Sequence, residues 1–206
     1  KDYQSAYIMA LKFVLPEGEL RELVKKNFAA NIRKNGLQTG FFATEHLLPL
    51  LVEAGETELA HDILLQEGCP GWMHQIKCGA TTTWERWDAL KPDGTVNEEK
   101  MAGSGDNMVS FNHYAFGSVG EFYYQYILGI KPQKPGFAEL HFEPYPDRRL
   151  GGVSGSYLSR AGKIESSWKY EEDGCHISLN TPVKSEVVLP NGQRETVEEG
   201  TYQWLC

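Results

Sequence analysis

Cysteine is scarce in this 206-residue sequence, and its four copies match no metal-binding pattern. Cys69, Cys78, Cys175 and Cys206 form no C-x-x-C pair and have no histidine at the spacing that zinc sites use. We therefore expect free thiols and no metal ion. Cys69 and Cys78 flank a predicted helix, so a disulfide between these two cysteines is the alternative.

Basic clusters and long apolar runs are also absent. The formal net charge is −8, and no run of lysine or arginine occurs. This balance argues against nucleic acid and against anionic membrane surfaces as partners. No apolar run reaches the roughly 20 residues of a transmembrane helix. No signal peptide is evident, so the sequence assigns no cellular compartment.

The motifs of several enzyme classes are missing too. The sequence has no G-x-S-x-G nucleophile motif and no Cys/His nucleophile pattern. Gly103 and Gly105 do not lie between a predicted strand and a predicted helix, as a phosphate-binding loop requires. We therefore expect no nucleotide and no other cofactor.

A helical pattern extends along the chain up to Pro132. Apolar residues recur at helical spacing, and Thr44 and Thr57 are suitable N-caps. The predicted helices cover Tyr3 to Val14, Glu19 to Asn35, His46 to Glu53, Glu58 to Gln66, Trp72 to Lys77, and Asn112 to Leu128. Short connections predict antiparallel helix pairs, as in bundles, solenoids or toroids. Trp87 to Met108 is a predicted long irregular loop, a type of segment that often carries function.

After Pro132 the hydrophobic period changes to two residues. The predicted strands cover Ala138 to Phe142, Gly155 to Ser159, Lys163 to Tyr170, Cys175 to Asn180, and Ser185 to Leu189. Turn signals lie at residues 172–174 and 190–192. We predict a mixed fold in which residues 1–131 are all-α and residues 132–206 form a small antiparallel β-sandwich.

The richest candidate site is GATTTWERWD, residues 79–88, in which Glu85 lies between Trp84 and Trp87 and next to Arg86. A carboxylate near indole rings can act as a general acid or base on a glycoside, and the rings can stack on a sugar. The competing interpretation is a surface Glu85 paired with Arg86 beside two core tryptophans. Composition alone slightly favours that competing interpretation.

A second candidate site is SFNHYA, residues 110–115. Ser110 or Asn112 is a suitable cap for the following helix, which would place His113 in the first helical turn. An imidazole there could contact a ligand hydroxyl, but a lone histidine more often has a structural hydrogen bond. Thr39-Gly40-Phe41 is a weaker candidate, because such a glycine either lies near a pocket or only makes a turn.

Taken in order, these motifs resemble the bacterial α-L-rhamnosidases of glycoside hydrolase family 78. GATTTWERWD is similar to the family's hallmark. It is preceded by TGFFATEHLLPLLVEAGETELAHDILLQEGCPGW and followed by DGTVN and SFNHYAFGSVGEF. PGFAELHFEPYP and GKIESSWKY are similar to the family's C-terminal sandwich. The resemblance covers nearly the whole chain, and the ordered set is specific where Trp-Glu alone is not.

The resemblance implies the last part of an (α/α)6 catalytic barrel followed by a β-sandwich, in an enzyme that releases terminal α-L-rhamnose with inversion. Glu85 matches the family's general base and His113 a histidine that contacts rhamnose, while Trp84 and Trp87 would shape the sugar site. The general acid would lie upstream, outside this chain, so we expect the isolated chain to be inactive. Two departures from the family pattern, at Lys100–Val109 and Trp72–Gln75, leave the shape of the pocket and the aglycone preference open.

The expected partner is a rhamnose-containing glycoside or polysaccharide. An incomplete barrel would also expose apolar inner faces, so we expect self-association through those faces. Two other functions are the alternatives: another (α/α)6 carbohydrate hydrolase, and a non-catalytic carbohydrate-binding or structural module.

Overall fold

A computed structural model describes residues 3–91, 93–99 and 109–206. The chain divides into two compact units, Lys1–Val119 and Gly120–Cys206. The predicted domain boundary after residue 131 stays a prediction. Pro92, Gly103 and Gly105 of the predicted long loop lie outside the described residues, as does most of the Lys100–Val109 segment. Within the described part of the chain, no helix combines the length and the apolar character needed to span a membrane.

The first unit consists of helices joined by short connections. They are α1 (Gln4–Met9), which continues as a π-helical turn over Ala10–Val14, α2 (Glu19–Asn35), α3 (Phe41–Glu53), α4 (Thr57–Leu65) and α5 (Trp72–Lys77). The predicted bounds of α2 and α5 are confirmed. Helix α2 ends where Gly36 takes a φ of +66°, a left-handed conformation that favours glycine.

Helix α3 begins earlier than predicted. It starts at Phe41, directly after Gly40, so Thr44 lies inside the helix and the N-cap prediction for Thr44 is wrong. The Thr44 hydroxyl instead donates a hydrogen bond to the Gly40 carbonyl at 2.8 Å, the back-bonding geometry of a threonine within a helix. The N-cap prediction for Thr57 is also wrong, because Thr57 is the first residue of α4 and the cap position is Glu56.

The predicted helix over Asn112 to Leu128 is wrong at its start and is irregular along its length. A 3₁₀ turn covers Ala115–Ser118, α6 covers only Val119–Phe122, and a π-helical turn covers Tyr123–Ile127. Asn112 and His113 precede all of these turns, so His113 is not in a first helical turn. Contacts of residues 110–113 with another segment, described below, hold them out of the helix.

The core of the first unit comes from the apolar faces of α2, α3 and α4. Phe28, Ile32 and Leu47 are almost completely buried. The N-terminal half of α2 differs, because Leu20 is 60% exposed and Leu23 is 54% exposed. The described residues do not cover these two side chains.

The second unit contains two four-stranded sheets. The strands are β1 (Ile130–Pro132), β2 (Leu140–Phe142), β3 (Gly152–Ser159), β4 (Gly162–Glu171), β5 (Gly174–Thr181), β6 (Ser185–Val188), β7 (Arg194–Val197) and β8 (Gly200–Leu205). Their orders are β1-β2-β6-β7 and β3-β4-β5-β8. Every pair is antiparallel except β2–β6, which is parallel, because the chain passes through the other sheet between these two strands.

Alternate side chains along β4 and β5 are buried and fill the space between the sheets. Ile164 and Trp168 of β4 and Ile177 of β5 point inward and are essentially inaccessible to solvent. The indole Nε1 of Trp168 donates to the Ile127 carbonyl at 2.7 Å, so a buried donor is satisfied. The helical turn over Tyr123–Ile127 therefore packs on this sandwich as part of the second unit.

Gly129 links this helical turn to β1 and tolerates no side chain. Its φ is +75°, and a Cβ atom there would lie 2.4 Å from the Pro144 nitrogen. Gly192, in the β6–β7 turn, has a similar φ of +87° but no atom within 4 Å of such a Cβ. The two glycines therefore separate the cost of a left-handed backbone from the cost of a steric clash.

We predict that Gly129→Ala destabilises the second unit much more than Gly192→Ala. The left-handed conformation alone costs an alanine about 1–2 kcal/mol, and overpacking against Pro144 adds roughly 1–3 kcal/mol. Hydrogen exchange of the β4 and β5 amides measures the free energy of opening in both variants. Equal losses in the two variants would show that the backbone around Gly129 adjusts freely.

A row of charged side chains crosses the outer face of the β1-β2-β6-β7 sheet. Lys131 pairs in register with His141, and His141 with Glu186. His141 lies 3.1 Å from Glu143 and 3.3 Å from Glu186, and the Lys131 ammonium lies 3.2 Å from Glu143. The His141 hydrogen bond lowers the pKa of Glu143 from 4.5 to about 2, with Lys131 contributing, and the two carboxylates raise the pKa of His141 above 6.5.

We predict that Glu143→Gln costs the most stability between about pH 4.5 and 6.5. The depressed pKa of Glu143 makes its contribution complete above pH 4.5, and this contribution is lost as the pH falls toward 2. The raised pKa of His141 makes its contribution complete below pH 6.5, and this contribution is lost at higher pH. The loss in mid-window is on the order of 1–3 kcal/mol.

Urea denaturation across this pH range tests the prediction. Glu139→Gln is the control, because Glu139 pairs with Lys134, whose side chain is 58% exposed, and such a pair should contribute far less. A stability loss for Glu143→Gln that does not vary with pH would contradict the assignment.

Candidate functional site

Two segments that are distant in sequence lie side by side in the first unit. The Glu85 amide donates to the Ser110 carbonyl at 2.9 Å, and the His113 amide donates to the Thr83 carbonyl at 2.9 Å. The Thr83 hydroxyl donates to the His113 carbonyl at 2.7 Å, and the Thr82 hydroxyl donates to the Phe111 carbonyl. These bonds bring the two predicted site segments, residues 79–88 and 110–115, together.

One oxygen of the Glu85 carboxylate is held by a hydrogen bond. Oε2 accepts a hydrogen bond from the Ser110 amide at 2.8 Å, which fixes the direction of the side chain. Within the described ranges, Oε1 has no hydrogen-bond partner and the carboxylate has no ion pair. Glu85 is partly buried and lines a cleft of about 630 Å³.

Arg86 pairs with Asp88 and not with Glu85. Its Nε and Nη2 each lie 3.0 Å from one carboxylate oxygen of Asp88, a two-pronged geometry. The interpretation of Glu85 as a surface carboxylate paired with Arg86 is therefore wrong for the described residues. Asp88 also accepts a hydrogen bond from the Asn97 amide group at 2.9 Å, so this second cleft carboxylate is already occupied.

Trp87 forms part of the apolar wall of the cleft. Its indole Nε1 donates to the Thr39 carbonyl at 3.0 Å, and its ring stacks on Phe116 with centroids 3.7 Å apart. The edge of Trp72 packs against Trp87 at 5.0 Å, and the Trp72 Nε1 donates to the Phe116 carbonyl at 2.9 Å. Each indole is therefore fixed by one hydrogen bond and by ring contacts, two for Trp87 and one for Trp72.

His113 lies next to the cleft lining, between two rings. The imidazole stacks on Phe41 at 4.7 Å and on Tyr114 at 5.5 Å, and Phe41 itself lines the cleft. The Ala115 amide donates to Nδ1 at 3.3 Å. In a neutral imidazole this bond places the proton on Nε2, which leaves an N–H donor available for a ligand.

Trp84 has a different environment from Trp87. It is 3% exposed, it is not among the residues that line the cleft, and its ring packs edge-on against Phe111 at 5.4 Å. Its backbone amide donates to the Gln75 side chain at 3.2 Å. Trp84 thus supports the Glu85 backbone from the buried side, and any effect of the Trp84 ring on a ligand would be indirect.

Several cleft residues carry no clear signal in the sequence. Thr39, Gly40 and Phe41 line the cleft, as their weaker prediction anticipated, but Cys69 and Pro70 were not predicted. Asp88 was identified only as part of the motif. Cys69 and Cys78 are free thiols, so the disulfide alternative is wrong.

The geometry combines one free carboxylate oxygen with aromatic walls. Such a cleft can orient a polyhydroxylated ring by stacking and present a hydrogen-bond acceptor to a hydroxyl or a water molecule. The described lining residues include no second unpaired carboxylate. The cleft as described therefore supplies one acid–base group and not two.

Family comparisons cover both parts of the chain. Residues 1–127 match the family described as the bacterial α-L-rhamnosidase six-hairpin glycosidase domain, and residues 129–203 match the bacterial α-L-rhamnosidase C-terminal domain. Among curated relatives, an α-L-rhamnosidase of Alteromonas sp. (strain LOR) is 37% identical over 92% of this chain and 20% of its own length. One from Streptomyces avermitilis is 34% identical over 98% of this chain and 19% of its own length.

Solved structures give the same result. The native α-L-rhamnosidase of Aspergillus terreus superposes with a TM-score of 0.89 at 30% identity, covering 98% of this chain and 24% of that one. The Streptomyces avermitilis α-L-rhamnosidase complexed with L-rhamnose also gives a TM-score of 0.89, at 31% identity, covering 98% of this chain and 21% of that one. The chain spans about a fifth of the length of the curated relatives that it matches.

Proposed function

This chain belongs to the bacterial α-L-rhamnosidase family, and we propose that it forms part of an inverting glycosidase that releases terminal α-L-rhamnose. In this proposal Glu85 is the general base. The general acid comes from a part of the longer protein that lies outside this chain.

One observation carries the proposal: the Glu85 carboxylate faces a cleft, with one oxygen anchored and the other without a partner among the described residues. A general base needs an accessible lone pair aimed at the proton that it removes. The Ser110 amide fixes the direction of the side chain without using both oxygens. The pairing of Arg86 with Asp88 leaves the Glu85 carboxylate without a cationic partner among the residues that the structure describes.

The mechanism requires a single displacement at the anomeric carbon. A water molecule between Glu85 and the sugar attacks that carbon while Glu85 removes one proton from the water. The glycosidic C–O bond breaks, and a protonated carboxylic acid on the opposite face donates its proton to the departing oxygen. Inverting enzymes hold the two carboxyl groups roughly 6.5–9.5 Å apart to make room for this water.

The neighbouring rings would bind the sugar. His113 would donate from Nε2 to a rhamnose hydroxyl, since Nδ1 already accepts from Ala115. Trp87 would form an apolar wall, supported by its contacts with Phe116 and Thr39. Trp84 would act by supporting the backbone of Glu85, because its ring is buried.

The proposed substrate class is a glycoside or polysaccharide with a terminal rhamnose. Support comes from the related Streptomyces avermitilis structure, which is a complex with L-rhamnose. No cofactor or metal has a role in the proposed mechanism.

We predict that Glu85→Gln in the full-length protein lowers kcat by roughly 10²–10⁴-fold, because the amide cannot remove a proton from water. Hydrolysis of an aryl α-L-rhamnoside measures the loss. Proton NMR of the wild-type reaction should show rhamnose released with inverted anomeric configuration. The control is Glu67→Gln, which removes an exposed carboxylate paired with Lys77 outside the cleft and should leave the rate unchanged.

His113→Ala should separate binding from chemistry in the same assay. Loss of a hydroxyl contact should raise KM more than it lowers kcat, unlike the change at Glu85. Near-normal turnover by Glu85→Gln would remove Glu85 from the mechanism.

We also propose that the isolated chain self-associates through apolar surface on the first unit. Leu20 and Leu23 lie one turn apart on α2 and are 60% and 54% exposed, and Phe13 is 66% exposed. Exposed apolar groups so close in sequence are characteristic of surface that another element covers. The related family is described as having six hairpins, more than the helices of this chain can form.

We predict that light scattering of the 206-residue chain gives a mass above the 23.2 kDa of the monomer. Replacing both Leu20 and Leu23 with lysine should shift the population toward monomer, because two charges cannot be buried in the contact. The control is Leu158→Lys, an 80% exposed position in the second unit, which should have no effect. A monodisperse wild-type monomer would contradict the proposal.

A further inference from the structure

Arg86 is a nearly buried cation beside the proposed base. Its side chain is 10% exposed, and it lines the same cleft as Glu85. A guanidinium stays charged at every physiological pH, and a buried charge must be compensated by a partner. The carboxylate that pairs with Arg86 therefore determines whether this guanidinium is available to Glu85.

Asp88 supplies that counter-charge. Two hydrogen bonds of 3.0 Å join the guanidinium to the Asp88 carboxylate, and a third N–H donates to the Glu99 carbonyl at 2.6 Å. The Asn97 side chain donates to Asp88 at 2.9 Å and is itself buried. Asp88 is thereby fixed in the orientation that receives Arg86.

Backbone hydrogen bonds hold Asn97 in place as well. The Asn97 backbone amide donates to the Ala89 carbonyl at 2.9 Å, and the Lys91 backbone amide donates to the Thr95 carbonyl at 2.8 Å. These bonds close a short hairpin after Asp88. The hairpin keeps Asn97 and the Glu99 carbonyl where Arg86 reaches them.

Among the described residues that line the cleft, Glu85 is the other carboxylate that could pair with Arg86. The remaining titratable lining group is the thiol of Cys69, and its pKa is raised, first by desolvation and then by the charge of Asp88. That thiol is neutral at neutral pH. If Asp88 were absent, the nearest carboxylate that lines the cleft would be Glu85.

We propose that Asp88 is a positioning residue that holds Arg86 away from Glu85 and so keeps the base free to accept a proton from water. This inference rests on the proposed function of Glu85. A carboxylate that is paired with a guanidinium has its lone pairs occupied and is a poorer proton acceptor. Asp88 therefore acts on the reaction through Arg86, without contact with the substrate.

A purely structural role for the pair makes a different prediction. The Asp88 side chain is 52% exposed, and such ion pairs contribute little to stability. If the pair only stabilised the loop, Asp88→Ala would lower the free energy of unfolding by leaving the buried Arg86 charge uncompensated, but the pH profile of kcat would not move. If Asp88 restrains Arg86, removal of Arg86 should repair the loss of Asp88.

The experiment compares Asp88→Ala, Arg86→Gln and the double variant in the full-length enzyme. Asp88→Ala should lower kcat roughly tenfold or more with little change in KM, because the base is impaired while sugar contacts remain. The acidic limb of its kcat profile should move to lower pH, because the freed guanidinium favours the ionised carboxylate. The double variant should recover to within about threefold of Arg86→Gln.

The control is Asp147→Ala. Asp147 and Arg149 form the same two-pronged pair with the same sequence spacing, with oxygen–nitrogen distances of 2.9 and 2.7 Å, but they lie in the second unit. This variant should leave kcat and the pH profile unchanged. Equal effects of Asp147→Ala and Asp88→Ala would overturn the proposal.

The outcomes distinguish this inference from the proposed function. A double variant as slow as Asp88→Ala, or an unchanged pH profile in Asp88→Ala, overturns the positioning role alone, provided that Glu85→Gln is inactive. A fully active Glu85→Gln overturns the proposed function and this inference with it. Recovery in the double variant together with a shifted pH profile in Asp88→Ala, with inactive Glu85→Gln, supports both.

Discussion

The candidate site depends on the pairing of residues 82–85 with residues 110–113. More than 20 residues separate the two segments, and neither belongs to a named strand. Two backbone hydrogen bonds, two threonine hydroxyls and the Ser110–Glu85 bond hold them together. Because Glu85 and His113 lie on opposite segments, this pairing sets the distance between the Glu85 carboxylate and the His113 imidazole. The threonines serve the pairing directly, and this explains their position before the tryptophan.

A continuous series of ring contacts stabilises the same region. His113 stacks on Phe41, Phe41 contacts Phe116, Phe116 stacks on Trp87, and Trp87 meets the edge of Trp72. Each contact adds about 0.5–1.5 kcal/mol beyond simple burial. The series connects the start of α3, the start of α5 and both paired segments. It makes the cleft wall rigid before any ligand arrives, which lowers the entropy that binding must overcome.

Sequence periodicity predicted the regular elements and failed where distant contacts decide the conformation. The pattern of α2 and the alternation along β4 and β5 are local, and the structure confirms those elements. Strand β1 has only three residues and ends at Pro132, so no window of sequence revealed it. Residues 112–114 have the composition of a helix start, but their partners at residues 82 and 83 are distant in sequence. Pairing with those residues outweighs the local preference.

The candidate site shows the same division between local and distant information. Composition alone favoured a pair between Glu85 and Arg86, because neighbours in sequence are the simplest partners to assume. In the structure Arg86 pairs with Asp88 instead, because the hairpin after Asp88 fixes Asn97 and Glu99 beside this pair. A glutamate and an arginine at adjacent positions can thus line one cleft without pairing with each other. In the proposed function, a third charge two residues further on keeps these two side chains apart, so the chemistry of the WERWD motif would depend on its last residue as well as on its glutamate.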